Sequence, residues 1–138
     1  MAPPKQLITR HLGKNGPQVS PVGLGLMGAS GLYDIPASDT DIYGDSEHLL
    51  GKRFAANPSK RKGIFLTTKF GHPKRDPANL QGTRAMNTTP EYFHDALEAS
   101  LKRLGLPYID LYYIHRLDRV TPSRRLSKQW FNSKTRAR

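Results

Sequence analysis

Two short apolar runs flank one well-delimited helical stretch between Gly63 and Arg116, and that alternation narrows the folds open to this chain more than any other feature. The first run, Gly63-Ile64-Phe65-Leu66-Thr67-Thr68-Lys69-Phe70, is closed by Gly71 and is too short and too β-branched to be a good helix. The helical stretch carries a full set of end signals: Thr89 as N-cap, Pro90 at the first helical position, Glu91 in the first turn and Gly105 just past the end. Phe93, Leu97, Leu101 and Leu104 recur along one face of it. The second run, Ile109 to Ile114, ends at His115-Arg116. Strand, helix and strand at this spacing make a βαβ unit, so parallel α/β architecture with a right-handed crossover is expected from pattern alone.

Upstream, Leu7 to Leu12 and Gln18 to Pro21 flank the turn-forming Gly13-Lys14-Asn15-Gly16 and read as a β-hairpin. Val22-Gly23-Leu24-Gly25-Leu26-Met27-Gly28 reads as a buried first core strand that opens into a loop. Ser46 is the expected N-cap of a helix that runs to about Ala56, with Leu49, Leu50 and Phe54 on one side, Gly51 weakening it slightly and Asn57-Pro58 stopping it. Residues 71 to 88 form a polar loop longer than a plain connection. Beyond Pro122 periodicity ends, and only the pair Trp130-Phe131 interrupts a polar tail.

Composition bounds the chemistry. The 138 residues contain no cysteine, which removes disulfides, thiolate metal sites and a cysteine nucleophile, and the five histidines show no metal-ligand spacing. No apolar stretch is long enough for a membrane span or a secretory leader, so a cytoplasmic address is the default expectation. The net charge of +11 invites a nucleic-acid reading, but six basic and no acidic residues lie between Arg124 and Arg138, which leaves +5 on the first 123 residues. The excess is mainly a property of a solvated, disordered tail over residues 123–138.

Tyr43, Lys69 and His115 each stand at or just after the end of a strand or short apolar run, the edge where parallel α/β barrels place their chemistry. Singly, each has an ordinary structural role as its commoner explanation. Together they suit carbonyl reduction, in which negative charge builds on oxygen and must be met by a proton donor and a polarising group. A free phenol with a pKa near 10 gives up its proton slowly. A Lys69 ammonium about 4 Å from Tyr43 favours phenolate by roughly 4 kcal/mol at an effective dielectric near 20, or about 3 pKa units. His115 can hydrogen-bond the carbonyl oxygen.

The sequence words that carry these residues resemble those of the aldo-keto reductases. They are Leu12-Gly13-Lys14-Asn15-Gly16 with Val19-Ser20, Gly23 to Gly28, Asp41-Ile42-Tyr43-Gly44, Ser46-Glu47-His48-Leu49-Leu50-Gly51, Thr67-Thr68-Lys69-Phe70-Gly71, Leu101 to Gly105 and Tyr108 to Arg116. They occur in family order over roughly residues 6 to 122, and the chain is most similar to the pyridoxal-reductase-like and auxin-induced-protein-like group. The resemblance implies a (β/α)8 TIM barrel behind an N-terminal hairpin, incomplete here, with an NADPH-dependent reductase domain over residues 1–122. It implies Tyr43 as general acid, Lys69 lowering its pKa, His115 orienting a small aldehyde or ketone, and Asp39, four residues before Tyr43, pairing Lys69. Gly25, Leu26 and Met27 are implied to lie along nicotinamide and ribose through backbone groups.

Two departures from the family stand out. Only eleven residues separate Met27 from Asp39, fewer than a βα crossover needs. The basic tail stands where the family continues its barrel, which typically takes about 250 residues and draws most of its contacts to the NADPH phosphates and adenine from that half. The chain alone is therefore expected to be impaired as a catalyst. Two alternatives have their own signatures: a non-catalytic fragment that self-associates or binds a partner through open barrel edges, and a basic nucleic-acid-binding protein.

Overall fold

The computed structural model describes residues 8–26, 46–72, 85–122 and 124–125. Arg10–His11 (β1) and Gln18–Val19 (β2) pair antiparallel, with Arg10 opposite Val19, and the Leu12 amide donates to the Pro17 carbonyl across the turn. Helix α1 covers Ser46–Ala56 and runs into a 3₁₀ helix, Pro58–Gly63. Thr67–Phe70 (β3), helix α2 over Pro90–Leu104, and Leu111–Ile114 (β4) complete the order. β3 and β4 are parallel neighbours, with Thr67 opposite Leu111 and Phe70 opposite Ile114, so the expected βαβ unit is present. Among the described residues the sheet does not close into a barrel.

The α2 ends follow from their residues. The Thr89 hydroxyl accepts from the Tyr92 amide, Pro90 occupies the first turn where no N–H is needed, and Gly105 takes the left-handed conformation (φ 63°) that lets its amide reach back to the last-turn carbonyls. Phe93 and Leu104 are buried on its inner face. The sheet's pleat then sorts the strands. Phe70, Tyr112 and Ile114 pack with Phe93, Ala96 and Leu97 of α2, and Thr68 donates to Glu47 of α1. Lys69 and Tyr113 fall on the opposite face.

Four expectations need correction. Residues 22–26 form no strand: Val22 and Leu24 are 81% and 86% exposed, and the Ser20 hydroxyl folds back to donate to the Val22 carbonyl at 2.9 Å. Gly23 and Gly25 give that run no side chain to pack and make it costly to order, so a local turn wins over a ladder. Ser46 lies inside α1 and not before it; its hydroxyl donates to the Leu26 carbonyl at 3.1 Å. Leu49 is 49% exposed, because α1 meets the core through Leu50 and Phe54, and Leu49 stands one residue, about 100°, off that stripe. The strand runs are also trimmed to four residues each, since Gly63 ends the 3₁₀ helix.

Gly51 serves packing as well as conformation. A Cβ there would stand 2.5 Å from the Arg103 carbonyl oxygen and 3.2 Å from the Leu104 carbonyl, where α1 and α2 cross backbone to backbone. Ala at an exposed helical position gains up to about 1 kcal/mol over Gly. Here Gly51→Ala is expected to destabilise by about 1–3 kcal/mol through overpacking. A denaturation midpoint equal to or above that of the parent chain would show that the helices do not cross this closely.

Candidate active site

The parallel register brings two of the predicted residues to one edge. Lys69 lies opposite Tyr113 in the register, its Nζ 5.9 Å from the Tyr113 ring centre. One residue past β4, the His115 amide donates to the Phe70 carbonyl at 2.8 Å, which extends the ladder by a step and fixes His115 at the C-terminal end of the pair. Gly25 and Leu26 stand at the end of segment 8–26, and the Leu26 carbonyl accepts from the Ser46 hydroxyl of α1. Tyr43, Asp39 and Met27 lie outside the described residues, as does the Trp130-Phe131 pair.

Sequence reading missed His72. Its Nε2 lies 3.1 Å from Nδ1 of His115, with the rings edge-on and their centres 4.4 Å apart. Forty-three positions separate the two histidines, so no local spacing could reveal the pair. Gly71, at φ 117°, turns the chain out of β3 and holds a tight approach: a Cβ there would meet the Arg116 carbonyl oxygen at 3.4 Å and the Thr88 methyl at 3.6 Å. The Tyr92 hydroxyl donates to the His72 carbonyl at 2.8 Å. Among the described residues no group of three or more His, Asp or Glu stands where a metal ion could be held.

A second tyrosine is set apart by its surroundings. Tyr112 lines a cleft of about 280 Å³ beside α2, together with Phe70, Tyr92, Ser100 and Arg103. Burial, reinforced by the Glu47 carboxylate, pushes its phenol well above the usual range, so it keeps its proton and makes a poor acid. Lys69 and His72 line the same cleft.

The loop after His115 is held by Asp118. Its carboxylate accepts from the Thr121 hydroxyl at 2.6 Å, the Thr121 and Val120 amides at 2.8 and 2.9 Å, and the Thr88 amide at 3.3 Å. These bonds, the Thr121 hydroxyl foremost, hold the Asp118 carboxyl well below the usual carboxylate range.

A helix between two parallel neighbouring strands is the repeating unit of (β/α)8 barrels. The holo form of an aldo-keto reductase from Bacillus halodurans has the same fold, with a TM-score of 0.69 and 21% identity over 96% of this chain and 48% of that one. The Aldo/keto reductase family model matches residues 37–133. The NADP(+) aldo-keto reductase yakc of Schizosaccharomyces pombe is 35% identical over 83% of this chain, and aldo-keto reductase str7 of Strobilurus tenacellus is 36% identical over 84%. The chain belongs to the aldo/keto reductase family. It spans 38% of the length of each of these two relatives. No helix among the described residues is long and apolar enough to cross a membrane.

Asp118 gives a pH test. A carboxyl whose folded pKa is depressed contributes stability that is complete above its unfolded pKa, about 3.9, and is lost as pH falls through the folded value. Asp118→Asn is therefore expected to be less stable than the parent chain at neutral pH, with the gap narrowing as pH drops below about 4. Parallel stability curves for the two chains from neutral to acid pH would contradict this.

Proposed function

We propose that these residues belong to the reducing centre of an NADPH-dependent carbonyl reductase acting on small aldehydes or ketones. The observation that carries this reading is the register of β3 and β4, which sets Lys69 and His115 at the same end of the strand pair. The donor set fits the reacting end of the cofactor. A cation and an imidazole suit an oxygen that gains charge, and among the described residues nothing stands within 4 Å of where a Gly25 side chain would be. NADPH supplies the hydride when bound, with the backbone of Gly25, Leu26 and Met27 alongside nicotinamide and ribose.

In this reading Tyr43 donates its phenolic proton to the carbonyl oxygen as the charge builds, and Lys69 eases that transfer by stabilising the phenolate left behind. Asp39 pairs with Lys69 and fixes its ammonium. His115 holds the carbonyl oxygen by a hydrogen bond and so sets which face of the carbon is presented. Family membership and the NADP(+) relative support the cofactor choice.

Two measurements test the reading. Cofactor fluorescence is expected to show saturable NADPH binding to the chain, weakened in Lys69→Met; no binding at high micromolar NADPH removes the cofactor assignment for this chain. Where turnover of an aldehyde is seen, Tyr43→Phe is expected to lower kcat by about 10²–10⁴-fold, the usual worth of a general acid. An undiminished rate would take Tyr43 out of the mechanism.

A further inference from the structure

On the reading above, His115 donates a hydrogen bond to a carbonyl oxygen, and a neutral imidazole donates only from the nitrogen that carries its proton. Nδ1 of His115 lies 3.1 Å from Nε2 of His72, so in that reading the bond from His115 to the carbonyl oxygen is made from Nε2. A hydrogen bond between two neutral imidazoles holds one proton, and its direction decides what His115 can do. If His115 is the donor, its proton sits on Nδ1, and Nε2 meets the carbonyl oxygen as a second lone pair. If His72 is the donor, Nε2 of His115 carries the proton and can polarise the oxygen.

We propose that His72 is a positioning residue for His115: it donates from Nε2 to His115 Nδ1 and so holds the second imidazole as the Nε2–H tautomer, an inference that rests on the carbonyl role proposed for His115. The surroundings hold both backbones. His72 leaves β3 through the left-handed Gly71, and its carbonyl is held by the Tyr92 hydroxyl. His115 is held by its amide bond to the Phe70 carbonyl. The edge-on contact of the rings joins these two anchored segments. The arrangement applies a general rule, that the partner of one imidazole nitrogen sets the state of the other.

The test uses the 138-residue chain labelled with ¹⁵N at histidine, held at about pH 8 where ordinary imidazoles are neutral. Nuclear magnetic resonance then reads the scalar coupling across the N–H···N bond and the ¹⁵N shifts that distinguish the two tautomers. The expected result is a coupling from the His72 Nε2–H to His115 Nδ1, with the His115 proton on Nε2. His72→Gln keeps an N–H donor and is expected to preserve the His115 shifts, whereas His72→Leu is expected to move them toward the average of the two tautomers. A coupling in the opposite sense, no coupling at all, or His115 shifts unchanged in His72→Leu would overturn the proposal. These signals need neither cofactor nor turnover, so a chain that shows the proposed coupling but binds no NADPH counts against the reductase reading and leaves the His72 arrangement in place.

Discussion

The ion pair between Arg61 and Asp110 is the contact on which the rest of the described structure depends. Arg61 lies at the centre of the 3₁₀ helix, buried, with its guanidinium 2.7 Å from the Asp110 carboxylate and stacked over the Tyr108 ring at 4.2 Å. It also donates to the carbonyls of Ile64 and Tyr108. The same carboxylate accepts from the Leu66 amide at 2.8 Å. One planar cation and one carboxylate thus join the segments that enter the two parallel strands, at a point where neither has yet begun its ladder. A fork of fixed donors suits this task better than a lysine would, because it can satisfy several acceptors in one plane. The pairing of opposite charges also offsets the cost of removing both from water, a cost that falls wholly on either partner left alone.

Register is what that contact delivers. With Leu66 held to Asp110 by both side chain and backbone, Thr67 meets Leu111 and each later pair is set in turn. A slip of one residue would exchange the two faces of a strand. Phe70 would leave the α2 cluster and Lys69 would enter it. The arrangement of chemistry-bearing residues at the far end of the strands is therefore decided some four residues earlier, by residues with no part in the chemistry. The Glu47 carboxylate supports the same outcome from the helix layer, since it accepts from Thr68 of β3 and pairs with Arg103 of α2.

The parts of this structure that were legible in the sequence are those whose causes are local. Thr89, Pro90 and Gly105 mark the ends of α2 because capping is a matter of four or five neighbouring residues. The βαβ unit follows from period and length, and it places Lys69 and His115 at strand ends without knowledge of any partner. What escaped depends on distance along the chain. Arg61 and Asp110 are forty-nine positions apart, and His72 and His115 forty-three. Gly51 reads locally as a weak point in a helix, and only the crossing of α2 over it reveals a packing role. Val22 and Leu24 show the converse error, since an apolar run announces burial only where something is at hand to bury it.

The apolar core is split. Phe54, Leu66 and Leu104 gather where the parallel strands begin, whereas Phe70 and Phe93 gather where they end, and each group draws its own partly buried neighbours. Proteins open locally in units that follow such divisions, each with its own free energy. The end that bears Lys69, His72 and His115 therefore rests on an aromatic cluster of its own, apart from the group at the ion-paired end. The two parallel strands are thus clasped at each end by a different apolar group, and a change in one can leave the other packed.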